Sequence, residues 1–375
     1  MSLKPWTIPL GIYIHIPWCI KKCPYCDFNS HENSNPPFES YADHLISDFE
    51  TDLSLINNRL VSSIFIGGGT PSLMPPKILE RVLQRIRANC KISNNLEITL
   101  EMNPGTLEQN YISGFKDIGI NRLSLGIQSF DDYCLTKLGR IHNSKIALEV
   151  LNEALSLDFD SINVDLMHGI PGQTKNSAIN DLNILINKGI KHISWYSLTI
   201  EPNTYFFSKT PNLPELSLCE EIDITGEMML KNSGLTHYEI SAFAEKNFHC
   251  RHNTNVWKFG DYLGLGAGAH GKVTGNDSIK RSIRTRHPSH YLSRKKTNAQ
   301  WNILTSEEAG LECLMNGLRL AKGISYSLFE NRTGAKVTSF IKKIENSSKG
   351  NLCKNRLQIT RFGWRYLDNI LCELV

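Results

Sequence analysis

Short apolar runs alternating with longer amphipathic ones fill the first two-thirds of this 375-residue chain and limit the folds open to it. "IYIHI" (Ile12–Ile16), "SSIFI" (Ser62–Ile66), "LEITLEM" (Leu96–Met102), "RLSLGIQ" (Arg122–Gln128), "SINVDLM" (Ser161–Met167) and "HISWYSLTI" (His192–Ile200) read as strands, being short, apolar and β-branched. Each precedes a stretch with helical spacing: "FESYADHLISDFETDLSLI", "PKILERVLQRIRANC", "LEQNYISGFKDIG", the region Asp131 to Asp158, "NSAINDLNILINKG" and "CEEIDITGEMMLKNSG". Strand-then-helix units with near-continuous apolar strands predict a parallel sheet covered by helices. Six such units are fewer than the eight of a closed barrel, so the expected class is α/β, an incomplete (β/α)6 barrel. "HYEISAF" (His237–Phe243) is expected to close the series with a last strand. The pattern changes near residue 275, which sets the expected division into a barrel over 1–275 and a linker plus appendage over 276–375. "SIKRSIRTRHPSHYLSRKKTN" is basic and reads as linker or cover with a solvated surface. "LQITRFGWRYLDNILCELV" suggests a small helical, winged-helix-like appendage.

Charge excludes some functions. Lys and Arg exceed Asp and Glu by 41 − 37, and a net +4 without clustering gives no footprint for nucleic acid. No apolar run reaches the roughly 20 residues needed to cross a bilayer. The opening "MSLKPWTIPLGIYIHIPWC" lacks the order of a signal peptide. The expected compartment is the cytoplasm, where the ten cysteines stay mostly reduced. Cys90, Cys134, Cys219, Cys250, Cys313, Cys353 and Cys372 stand singly and read as small buried hydrophobes.

Cys19, Cys23 and Cys26 are different. In "HIPWCIKKCPYCDFNSH" they form C-x-x-x-C-x-x-C directly after the first strand, at its carboxyl end, which is the catalytic face of a βα barrel. Thiolates favour zinc or an iron–sulfur cluster. Structural zinc wants a fourth protein ligand, which here would be His15, His31 or a distant cysteine. A [4Fe–4S] cluster held by three thiolates keeps one iron open to substrate. Other strand ends carry polar groups on the same face: Gly67, Gly68, Gly69 and Thr70 in "GGGTP", then Glu101, Gln128, Asp165, Thr199 and Glu201. Such a row suits a ligand with hydroxyls and charges, and Arg140 in "LGRIH" can grip a carboxylate with two hydrogen bonds.

The cysteine loop and the GGGTP turn together resemble the radical S-adenosylmethionine (SAM) superfamily. That resemblance implies a [4Fe–4S] cluster on Cys19, Cys23 and Cys26, whose open iron chelates the amino and carboxylate groups of SAM. Reduced, such a cluster can pass one electron to the sulfonium, giving methionine and a 5′-deoxyadenosyl radical. Within the superfamily the motifs are similar to those of the oxygen-independent coproporphyrinogen oxidases and their relatives. The likeness implies SAM contacts from Tyr13, Gly68, Gly69, Thr70, Glu101, Gln128, Arg140 and Asp165, with Tyr25 against the adenine.

The oxidases proper carry a fourth cysteine two places after the third, where this chain has Phe28, and a long N-terminal extension, where only eighteen residues precede Cys19. "HIPWCIKKCPYCDFNSH", "LTIEPNTYF" and "GLGAGAHGKV" instead resemble the HemW-type haem chaperones over nearly the whole length. This implies haem as cargo passed to acceptor proteins, respiratory membrane enzymes among them, from a cytoplasmic or membrane-peripheral protein, with a homodimer compatible. Coproporphyrinogen oxidase activity is expected to be absent, with SAM cleavage left open. That family's H-N-x-x-Y-W pattern falls on His252, Asn253 and Trp257, with Val256 at the Tyr position. His252 is the expected haem ligand, Cys250 and His270 being the alternatives. His15 and His31 are expected to organise the cluster loop, and His168 to support the site from behind.

Overall fold

The computed structural model describes residues 3–56, 58–105, 111–294, 299–345, 355–364 and 366–374. The six expected strands form and lie side by side in chain order: β1 (Leu10–Ile16), β2 (Leu60–Gly68), β3 (Lys91–Met102), β4 (Arg122–Gln128), β5 (Ser161–His168) and β6 (His192–Ser197). All five of these pairings are parallel. The helices that follow them, α1 (Phe38–Asp52), α2 (Pro76–Asn89), α3 (Ile112–Asp117), α4 (Ser144–Ser156), α5 (Lys175–Asn187) and α6 (Leu216–Asn232), complete an α/β partial barrel. The first residues of the stretch expected to give α3, 107–110, lie outside the described residues.

Two expectations need correction. "HYEISAF" is not a single strand. It forms a hairpin of β7 (Thr236–Glu239) and β8 (Ala242–Ala244), with β8 antiparallel to β6, because a two-residue turn cannot make the crossover that a parallel pair requires. The basic segment after residue 275 is not a bare linker. On the other side of β1 the sheet continues through β9 (Asp261–Leu265, parallel to β1), β10 (His270–Thr274), β11 (Ile279–Ile283) and β12 (Gln300–Leu304). The full order is β12-β11-β10-β9-β1-β2-β3-β4-β5-β6-β8-β7, an open sheet of twelve strands.

The two faces of this sheet differ. Leu10, Ile12, Ile14 and Ile16 of β1, with Ile64 and Ile66 of β2, pack under the helices in one continuous core. The alternate positions turn to the concave side: Tyr13, Ser63, Phe65, Glu101, Arg122, Ser124, Asn163, Asp165, Ser194 and Tyr196. Helix α7 (Arg251–Trp257) packs against β1, β2 and β9, its amino end held by Glu97, whose carboxylate accepts from the amides of Arg251 and His252. The C-terminal unit holds α8 (Ser306–Gly317), α9 (Tyr326–Thr333) and a two-stranded antiparallel pair, Ile324–Ser325 with Arg356–Leu357, around its own apolar cluster.

Buried charge fastens the β9–β12 extension to the barrel. Asp48 on α1 accepts from Arg284 Nη1 at 2.6 Å, Tyr291 Oη at 2.7 Å and the Gly266 amide at 2.9 Å. Tyr41 Oη bridges the same gap, donating to the His15 carbonyl and accepting from the Ala267 amide. A second group joins Asp261 to Arg59 and Lys272, each at 2.7 Å. Removing one partner from such a group leaves an uncompensated buried charge. Asp48→Ala is therefore expected to lower unfolding free energy by about 3–5 kcal/mol in urea, whereas Asp43→Ala, whose carboxylate pairs with Arg81 on the surface, changes it by less than about 1 kcal/mol.

Candidate functional site

At the carboxyl ends of the parallel strands lies a cavity of about 470 Å³. Cys19, Cys23 and Cys26 form part of its wall, with Tyr25, Gly68, Gly69, Thr70, Glu101, Gln128, Arg140 and Asp165. Thr199 and Glu201 reach it too. Of the SAM-contact residues expected from the sequence, Tyr13 alone faces elsewhere, into a neighbouring cavity.

Close backbone packing sets the cysteine loop. Gly68 has φ +124°, and a Cβ there would lie 2.7 Å from the His15 ring; at Gly69 it would lie 2.6 Å from the Trp18 carbonyl oxygen and 3.0 Å from Cys19 Sγ. Only glycine lets the β2 turn run this close under the loop. The Gly69 and Thr70 amides donate to the carbonyls of Ile16 and Trp18. His15 uses both ring nitrogens, with Tyr13 Oη and the Asn29 carbonyl each at 2.9 Å, and His31 meets Asn29 Oδ1 at 3.3 Å. Both histidines thus hold the loop and neither is placed as a fourth thiolate-like ligand. Among the described residues no three His, Cys, Asp or Glu side chains converge on one metal ion.

Arg140 sits where the region expected to be helical breaks, between Asp132–Lys137 and α4, after Gly139 at φ +69°. From there its guanidinium spans the site: Nη1 to Cys23 Sγ at 3.5 Å, and Nη2 to Asn103 Oδ1 and the Gly126 carbonyl at 2.7 and 2.6 Å. Gln128 holds the left-handed φ of +73° at the end of β4, accepts from Tyr196 Oη at 2.9 Å, and so turns its amide into the cavity. Strain of this kind gathers at binding sites. Glu101 is partly buried and accepts from the Gly68 amide at 3.0 Å; burial, then the neighbouring Asp165, push its carboxyl up to about 7. Burial also raises Asp165.

Three cavity residues escaped the sequence reading. Asn103 links Thr70 to Arg140, Tyr196 orients Gln128, and Asn163 joins Ser124, Asp165 and His192 in one network. Asn103 follows Glu101 in "LEMNPG" and was legible as another polar strand end; the other two are single polar residues inside apolar strands, with no local signal.

The neighbouring cavity, about 650 Å³, meets the first at Phe65, Glu101 and Asn253. His252 lines it, its Nδ1 3.2 Å from Ser63 Oγ, and burial pushes the imidazole down to about 3, so that it is neutral. Val256, one helical turn on, faces the same cavity. Cys250 lines neither cavity. Its sulfur caps α7 through the Asn253 amide, and burial pushes its thiol up to about 12. His168 stacks on Trp195 at 4.6 Å behind β5 and lines neither cavity.

The radical SAM superfamily profile matches residues 13–185, and the HemN C-terminal domain matches 304–366. The heme chaperone HemW of Buchnera aphidicola (Acyrthosiphon pisum strain) is 42% identical over 369 residues, covering 97% of both chains. Those of Haemophilus influenzae and Escherichia coli are 42% and 40% identical, covering 98% and 97% of each chain. Among solved structures, the radical SAM coproporphyrinogen III oxidase HemN of Escherichia coli superposes with a TM-score of 0.82 over 98% of this chain and 90% of its own, at 21% identity. That likeness shows the fold alone.

Glu101 provides a pH test. Its carboxyl is raised above the ordinary range, so the anion is complete only above about pH 7 and is lost as pH falls. Binding of SAM, which carries an ammonium and a sulfonium, is expected to weaken several-fold between about pH 8 and pH 6 in anaerobic equilibrium dialysis. Glu101→Gln is expected to bind weakly with that dependence flattened.

Proposed function

Because the chain belongs to the radical SAM superfamily and, within it, to the HemW haem chaperones, we propose that it binds haem on a radical SAM scaffold and passes it to acceptor proteins. Membership carries the coarse cofactor set, an iron–sulfur cluster and SAM. The finer assignment is our own. Cys19, Cys23 and Cys26 hold a [4Fe–4S] cluster with one open iron. Gly68, Gly69, Thr70, Glu101, Gln128, Arg140 and Asp165 hold SAM, with Tyr25 against its adenine and Tyr13 acting through His15, to which its hydroxyl is bonded. The observation that supports this best is the gathering of the three cysteines and these polar strand ends on one cavity wall. When bound, the cluster supplies one-electron reduction of the sulfonium; the chain orients SAM and limits its contact with water.

His252 is proposed as the haem ligand. A buried neutral imidazole suits iron, and the Ser63 hydroxyl at Nδ1 fixes its ring. Val256 bears on the departure from the family's Tyr. The position faces the same cavity as His252, so a phenol there would reach the cargo, and Val leaves that wall apolar. The alternative class for this scaffold, the coproporphyrinogen oxidases, has a cysteine at the place of Phe28, which here is an exposed apolar residue at the cavity rim. Among the described residues no helix is long and apolar enough to cross a membrane. A cytoplasmic protein that meets membrane-bound respiratory acceptors at their surface, as monomer or homodimer, fits this reading.

Anaerobic reconstitution with iron and sulfide is expected to give about four irons per chain, lost in Cys23→Ala. Haem titration of the reconstituted protein is expected to saturate near one equivalent, with occupancy markedly reduced in His252→Ala. Anaerobic turnover of coproporphyrinogen to protoporphyrinogen would overturn the chaperone reading, and full haem occupancy in His252→Ala would remove His252 from it.

A further inference from the structure

The two cavities share Phe65, Glu101 and Asn253 but differ in the rest of their walls. The first is walled by carboxylates, Glu101, Asp165, Glu201 and Glu239, with Arg122 and Arg140 between them. The second is walled by rings, Tyr13, Phe65, Tyr262, His15, His252 and His270, and carries Arg286. Flat walls with cationic groups suit a planar aromatic dianion better than a cationic nucleotide.

Two glycines shape this space. At Gly11 a Cβ would lie 2.9 Å from Ser63 Oγ and 3.1 Å from His252 Nδ1, so its absence lets the His252 imidazole settle onto β1. At Gly264 a Cβ would collide with the His270 carbonyl oxygen, so β10 folds closely over β9 and brings His270 to the cavity wall. The imidazoles around the cavity are not equivalent. His15 has both nitrogens engaged. His252 is buried with Nδ1 on Ser63, while His270 is exposed at the rim and its ring makes no hydrogen bond among the described residues. Among the described residues the Arg286 guanidinium donates to Asn29 Oδ1, at 3.4 Å.

Resting on the haem reading above, we propose that the second cavity is the haem berth, with His270 as second axial ligand facing His252 and Arg286 pairing with a haem propionate. Iron held between a buried and an exposed imidazole has one bond that a partner can reach. An acceptor's own ligand would displace His270 first and His252 afterwards, a ligand exchange that needs no change in iron oxidation state.

The test uses the full chain titrated with ferric haem. The wild-type complex is expected to be six-coordinate and low-spin by absorbance and electron paramagnetic resonance. His270→Ala is expected to keep one haem per chain but turn high-spin, to return to low-spin on adding free imidazole, and to release haem to apomyoglobin about tenfold faster. Arg286→Gln is expected to weaken haem binding several-fold. If His270→Ala fails to fold, judged by circular dichroism and melting, His270→Met decides, since methionine on iron adds a thioether charge-transfer band. A low-spin spectrum unchanged in His270→Ala, a His270→Met complex without that band, or a five-coordinate wild-type complex would overturn the second ligand and leave the haem reading standing. Wild-type protein that binds no haem would overturn both.

Discussion

Burying charge on the concave face of a sheet is the constraint to which the rest of the molecule answers. Glu101, Asp165, Arg122 and Arg140 are wholly or partly withdrawn from water around a cavity on the concave face of strands whose alternate residues form an apolar core. Desolvated ions are costly unless paired or bonded, and here each carboxylate finds a donor: Glu101 the Gly68 amide, Asp165 the side chains of Asn163 and Ser124. The raised carboxyls show that this solvation is incomplete. A cationic ligand would complete it, which is why the cavity reads as a binding site and not as a packed core.

The cysteine loop depends on the same face. Arg140 ties Cys23 to Asn103 and to the β4 carbonyl of Gly126, so the thiols and the polar strand ends are positioned by one guanidinium. Gly68 and Gly69 allow the contact from below. Displacing either element would move the thiols relative to Glu101 and Gln128 together.

The second cavity owes its walls to the buried ion pairs at Asp48 and Asp261. Asp48 anchors Gly266, Arg284 and Tyr291, and Asp261 anchors the start of β9 to Arg59 on one side and Lys272 on the other. These groups hold strands β9–β11 against β1, and with them Tyr262, His270 and Arg286. Stability of the extension and shape of the cavity are thus one property.

The sequence by itself determined the partial barrel and the contents of its main cavity, because both are local signals. Alternating short apolar and longer amphipathic runs specify βα units, and three cysteines within eight residues must lie on one loop. Residues at consecutive strand ends share a face by topology, so Glu101, Gln128 and Asp165 could be grouped before any coordinates. What only the tertiary structure decided is non-local. Antiparallel β11 hides in a basic, polar stretch held by a buried ion pair between residues more than two hundred positions apart, Arg284 with Asp48. The hairpin at "HYEISAF" was settled by turn length. Tyr13 went to the second cavity because the β1 side chains that face a cavity, Tyr13 and His15, line that one and not the first. Nothing local to Tyr13, His252 and His270 says that they meet, since the space between them exists only where β9 folds back beside β1.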